Sequence, residues 1–204
     1  MSVVSKIVGA AMLLAVSGSS QAGLILNGDF ENNPLNAGSW RWFNSSQVDG
    51  WQGSNIEVWH ALNGVLAPSG NHFIELNAHG SNSGSWSISQ TFATEVGHEY
   101  LLSFFYRARA NNNEKFNVSV ADVNWLLDDH TTSDWLWFNQ RFVANSDSTS
   151  LQFTALNAGT VGNFLDGVQV SSLPSLQVVP APASLAMFGL GIAALMAFRR
   201  KKAA

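Results

Sequence analysis

Along its middle the chain alternates apolar and polar residues with a period of two, and that pattern restricts it to β-structure. Tyr100, Leu102, Phe104, Tyr106 and Ala108 alternate with Leu101, Ser103, Phe105, Arg107 and Arg109. Trp86, Ile88, Gln90 and Phe92 alternate with Ser87, Ser89 and Thr91, and residues 116–121 and 151–155 follow the same rule. Successive residues of a strand point to opposite faces, so each segment has one side for a core and one for water. Further strand candidates are 24–27, 56–59, 72–76, 135–142 and 164–170. Gly- and Asn-rich turns separate them at 32–38, 68–71, 80–84, 111–113 and 157–159. Short strands at this spacing predict an all-β domain over residues 23–172, a β-sandwich or jelly roll.

The two ends differ from this middle. Residues 1–22 carry one charge, Lys6, then an apolar run over 7–16, then small and polar residues with Ser20 and Ala22 before the expected cut. That is the layout of a secretory signal peptide, and the mature chain is expected to begin near Gly23. At the other end a short linker, 173–179, leads into residues 180–204: Pro180, Pro182, an apolar run to Phe198, and the basic cluster Arg199, Arg200, Lys201 and Lys202. A single helix over 183–198 would be about 24 Å long. That is a marginal span for a hydrocarbon core of about 30 Å. The basic end stays cytoplasmic, which leaves the domain facing outward.

Charge divides along the same lines. The chain has ten Lys and Arg against fourteen Asp and Glu. Five of the basic residues lie in the two ends, so residues 23–177 hold five basic and fourteen acidic groups, a net of −9. Such a surface repels a phosphate backbone and argues against nucleic acid as a partner. It is compatible with calcium or with neutral sugars. The absence of cysteine excludes disulfides, thiolate metal sites and cysteine nucleophiles.

The tail, with Val179-Pro-Ala-Pro-Ala-Ser184, its apolar run and its basic end, resembles the PEP-CTERM sorting signal of Gram-negative bacteria; Ala181 stands where that motif usually has Glu. The resemblance implies processing by signal peptidase and a membrane exosortase, passage through the inner membrane by the C-terminal helix, and delivery to the cell surface or extracellular matrix. The middle resembles the galactose-binding-like jelly rolls that include family 4, 9 and 22 carbohydrate-binding modules. The likeness runs through Asn27-Gly-Asp-Phe-Glu31, Gly50-Trp51, Gly70-Asn-His-Phe-Ile-Glu-Leu-Asn77, Ser89-Gln-Thr-Phe92, Gly97–Tyr106 and Leu165-Asp-Gly-Val-Gln-Val170. Those jelly rolls often hold a structural calcium ion. By position the resemblance makes Glu31 and Asp166 its side-chain ligands, with Asp29 in reach on the same strand face and backbone carbonyls completing an all-oxygen shell.

All eight tryptophans lie inside the domain. Sugars stack their C–H faces on aromatic rings while polar side chains read the hydroxyls, so an excess of tryptophan points to a carbohydrate platform. Trp51 is expected in the core. Trp59 and Trp125 are the candidate platforms, flanked by Glu57, Asn124, Asp128 and Asp129. His72 and His79 lie on opposite faces of one strand around Glu75, so no transition-metal site is expected, and the histidines read as surface residues. Glycoside hydrolysis needs two carboxylates facing one cleft. Glu57 and Glu75 are a pair that could lie on neighbouring strands, and no nucleophile elbow, phosphate loop or zinc-protease motif is present. The reading is a non-catalytic exported surface or matrix protein that binds carbohydrate or exopolysaccharide. A structural or adhesive module without a glycan site is the alternative, and a glycan hydrolase comes third.

Overall fold

The computed structural model describes residues 23–79, 86–111, 114–129 and 131–174. The expected signal peptide and the sorting tail, with Pro180, Pro182, Arg199 and Arg200, lie outside the described residues, as does the apolar helix expected over 183–198. Among the described residues no helix is long and apolar enough to cross a membrane.

The strands are β1 (Ser39–Phe43), β2 (Gln52–Gly53), β3 (Ile56–His60), β4 (His72–Glu75), β5 (Ser87–Ala93) and β6 (Glu99–Ala108), then β7 (Phe116–Val120), β8 (Val123–Leu127), β9 (Leu136–Val143), β10 (Ser148–Ala155) and β11 (Asn163–Ser172). They form a six-stranded sheet in the order β1-β3-β4-β11-β6-β9 and a five-stranded sheet in the order β2-β5-β10-β7-β8. Every pairing is antiparallel. Two such sheets face to face make the jelly-roll sandwich that the alternation predicts.

The core between the sheets is aliphatic and aromatic. Val58, Ile74, Leu102, Phe104, Phe138 and Leu165 of the larger sheet meet Ile88, Phe116, Val118, Leu151 and Phe153 of the smaller one. Phe104 stacks on Phe138 with ring centroids 4.4 Å apart and meets Phe153 edge-on at 5.2 Å, both favoured aromatic geometries. Trp51 is buried here as expected, its indole N–H donating to Asn27 O at 3.1 Å.

Two expectations change. Residues 24–27 do not form a strand, because Asn27 (φ 51°) and Phe30 (φ 57°) turn the chain through the left-handed region. The segment instead lies against β11, with Leu24 N donating to Val170 O and Val168 N to Gly28 O. The Gln90 side chain clamps it to β5 by bonds to both the N–H and the C=O of Leu26. Conversely β1 and β8 form strands where the sequence reading has none.

Candidate functional site

Most strands of the larger sheet are covered on both sides. Its inner face belongs to the core; its outer face carries a second aromatic layer of Trp59, Phe73 and Phe164, with Leu62, Val65, Ala67 and Trp135 packed against it. Residues 61–70 cross this face as a strap, and Trp135 Nε1 donates to the strap carbonyl of Leu66 at 3.0 Å. Register lines up the layer: Trp40 pairs with Trp59 and Trp59 with Phe73.

Beside this layer the same face buries a polar cluster. Glu57 and Glu75 lie directly opposite each other on β3 and β4, and they are 2% and 0% exposed. Glu57 accepts from Trp59 Nε1 at 2.8 Å and from His79 N at 3.0 Å. Glu75 accepts from Arg109 Nη1 through both oxygens at 2.8 Å and from Gly162 N at 3.0 Å. The Arg109 guanidinium also covers the Trp59 ring at 4.8 Å. Burial pushes the Glu75 carboxyl up to about 8; Arg109 and the Gly162 amide oppose the shift, and Glu57 adds to it. Two carboxyls and one guanidinium are neutral together when one proton remains, which is the state a water-poor site favours. Gly162 makes the Glu75 contact possible, since a Cβ there would fall 1.9 Å from Leu76 O.

Trp59 and Glu57 therefore do not form an exposed platform: one is in the second aromatic layer and the other in the buried cluster. The exposed rings next to Trp59 are on the neighbouring edge strand. Trp40 and Trp42 of β1 are 43% and 42% exposed, and Trp40 stacks on Trp59 at 6.3 Å. They were legible only as Trp-x-Trp, a period-two pair, and no charge or turn singled them out. Trp125 and Asn124 are elsewhere, on β8 of the smaller sheet. Trp125 seals the core edge against Phe138 at 5.3 Å, while Asn124 is exposed and accepts from the Ser119 hydroxyl at 3.2 Å. The predicted pair is thus split between two sheets. Asp129, exposed beyond β8, accepts from Tyr106 Oη, and Asp128 is paired loosely with Lys115 at 3.8 Å.

The three predicted calcium ligands lie near one end of β11. Asp166 is fully buried and accepts from Ser69 N at 2.8 Å and Gly167 N at 2.6 Å. Burial pushes it up to about 8 against those two amides, with the charges of Glu31 and Asp29 adding to the shift. Burial also works to raise Glu31, but the amides of Asn71 and His72 and the His72 ring outweigh it and hold Glu31 low. His72 is buried, which corrects its reading as a surface residue. Its Nε2 accepts from Leu35 N at 3.1 Å, so Nδ1 carries the proton that bonds Glu31 at 2.7 Å. Among the described residues no three His, Asp or Glu side chains converge as a metal centre. Asp29 therefore does not complete a triad, and the turns at Asn27 and Phe30 remove the shared strand face on which it was placed. Glu31 and Asp166 remain two carboxyls whose oxygens are hard donors of the type calcium takes.

Comparison with known proteins follows the same division of the chain. Residues 178–201 match the PEP-CTERM protein-sorting motif, which marks an exported, exosortase-sorted protein. No curated protein matches the chain. An arabinose-bound α-L-arabinofuranosidase superposes with TM-score 0.51 at 15% identity, over 74% of this chain and 26% of that one, and shares the fold. A CBM4 structure matches with TM-score 0.46 at 17% identity over 73% of this chain and 99% of that one. TmCBM61 bound to β-1,4-galactotriose matches with TM-score 0.46 at 18% identity over 75% and 100%. Residues 23–171 match DUF642, described as a protein of unknown function, and the chain belongs to that family.

Proposed function

We propose that this exported protein is a non-catalytic carbohydrate-binding component of the cell surface or matrix, which holds glycan on the outer face of its six-stranded sheet. One observation carries the reading: Trp40 and Trp42 stand exposed two residues apart on an edge strand, where both rings share one face. Trp59 flanks Trp40 from the neighbouring strand on the same face, and Glu57, opposite Trp42, fixes the Trp59 ring by accepting from its Nε1. The buried carboxyls favour recognition over hydrolysis. A glycosidase needs its two carboxyls about 5 Å or more apart and open to a substrate, whereas Glu57 and Glu75 touch each other and have no access to solvent.

The test is retention of the purified chain on polysaccharides, including bacterial exopolysaccharide, with a Trp40→Ala/Trp42→Ala double variant alongside. Loss of retention by a folded variant is expected; equal retention would discard the platform and favour a protein-contact role. Calcium belongs to the same reading: held by Glu31 and Asp166, it would offset the negative charge gathered where the N-terminal segment meets β11.

A further inference from the structure

The strap at 61–70 divides the outer face of the six-stranded sheet, and the half away from Trp40 and Trp42 has its own equipment. Trp137 of β9 is 48% exposed and pairs with Phe105, its ring 4.4 Å from the Phe105 ring. One step along the strands on the same face, Gln169, Ser103 and Asn139 lie in a row across β11, β6 and β9. That row exists because β11 bulges. The pairing shifts between Asp166 and Gln169, and Gly167 at the bulge has φ 60°. In unbroken register Val168 would lie opposite Ser103 and Gln169 would face the core. With the bulge, Val168 and Val170 turn inward into the core while Gln169 and Ser171 face out. Bulges re-aim side chains in this way next to binding sites.

Beyond Gln169 the face deepens into a cavity of about 340 Å³, lined by Gln169, Ser171, Ser69 and Asp29 together with residues of the N-terminal segment and of the β11 bulge. Two cations border Trp137 and both are engaged: Arg141 bonds Glu99 at 3.1 Å, and Arg107 donates to the Thr132 carbonyl and covers the Trp135 ring, while Asp29 on the far wall disfavours an anion. An aromatic plate, two exposed amide side chains over the mostly buried Ser103 hydroxyl, and cations already engaged suit an uncharged, hydroxyl-rich ligand.

We propose that Trp137, Phe105, Ser103, Asn139 and Gln169 form a second carbohydrate subsite for an uncharged polysaccharide segment, separate from the Trp40 and Trp42 platform. This rests on the reading that the face binds glycan, and it adds that the ligand is a polymer gripped twice. The two platforms lie five strand spacings apart, about 24 Å, so only a chain of several sugar rings reaches both. Two grips on one polymer raise retention well above either alone.

Affinity electrophoresis of the full chain in β-1,4-galactan, xylan and soluble cellulose derivatives tests this, with trisaccharides of each as competitors. Trp137→Ala and the milder Asn139→Ala/Gln169→Ala, whose side chains are exposed, should each weaken polymer retention about tenfold. Combination with Trp40→Ala/Trp42→Ala should weaken it further, and trisaccharides should compete poorly. Unchanged retention in both β9-side variants, with loss only in the β1-side variant, overturns the second subsite and leaves the first platform standing. Loss only in the β9-side variants overturns the first platform and the double grip together. Wild-type protein that passes all three polymers unretarded overturns both, and so does tighter Trp137-dependent retention on a uronate polymer, for the uncharged ligand.

Discussion

The two sheets present outer faces of opposite character. Across the five-stranded sheet the register aligns Ser89, Gln152, Ser119 and Asn124, with Ser87, Thr91, Ser150, Thr154 and Asn117 around them. These are short, uncharged side chains facing water. Across the six-stranded sheet the corresponding row begins with Trp40, Trp59 and Phe73 and ends with Phe105 and Trp137. The first face is polar and open to water, with Leu126 of the edge strand β8 its exposed apolar exception. The second is built like a core, with a strap laid over it and its rings uncovered only at the two edges. A sheet that needs only one buried face has no need to bury three carboxyls, Glu57, Glu75 and Asp166, on the other, and these groups set the second face apart.

The comparison breaks most readily at Trp59. Its ring is enclosed by Trp40, Phe73, Phe164 and Arg109, and Trp59→Ala should cost about 3–5 kcal/mol in urea unfolding, as for other buried aromatics. Ser89→Ala on the opposite sheet should stay within about 0.5 kcal/mol. Equal costs would mean that the second aromatic layer is decoration.

Acidity sharpens the contrast further. Glu75 titrates near 8 in the fold against 4.5 for the free side chain, so between those values the native state holds a proton that the unfolded chain has lost. Stability from this group is therefore full below about pH 4.5, falls as pH rises toward 8, and is level above; the loss is of the order of a few kcal/mol. Asp166, also raised to about 8, adds a slope of the same sign. Glu75→Gln should flatten the decline by roughly half. A pH profile identical to the parent would show that Arg109 keeps Glu75 ionised throughout.

How much of this was legible follows from burial. Strands β5, β7 and β10, with one face wet, announce themselves by strict alternation, and β7 at Phe116–Val120 falls one residue short of the 116–121 that the alternation covers. In β3 and β4 nearly every residue is buried, so alternation fades and Glu57 and Glu75 look like surface positions. The exposed platform was misplaced for the same reason: a tryptophan's exposure depends on what crosses above it, here the strap, and no local pattern encodes that. Strand β1 is a short edge strand with exposed residues on both faces, which hides the period. Residues 24–27 read as a strand because Leu24, Ile25 and Leu26 carry no sign of the positive φ values that bend the chain at Asn27 and Phe30.

The smallest effect concerns the seam between the N-terminal segment and β11, for which the five-stranded sheet has no counterpart. Glu31 ties 71–72 to the first turn, and Asp166 ties Ser69 to β11, so a cation shared by the two carboxylates would lock strap, first turn and last strand together. Such an ion binds the folded chain alone and stabilises it by about 2.7 kcal/mol at a hundredfold excess over its dissociation constant. Melting should then shift downward on chelation, recover with added calcium but not magnesium, and lose its calcium dependence in Asp166→Asn. Magnesium demands a tighter octahedral shell than two carboxylates and loop carbonyls supply. If chelation leaves the melting curve unmoved, the seam is held by its amide and His72 hydrogen bonds alone. Asp166 is then a protonated structural carboxyl, and the two sheets differ in their aromatic layer rather than in any bound ion.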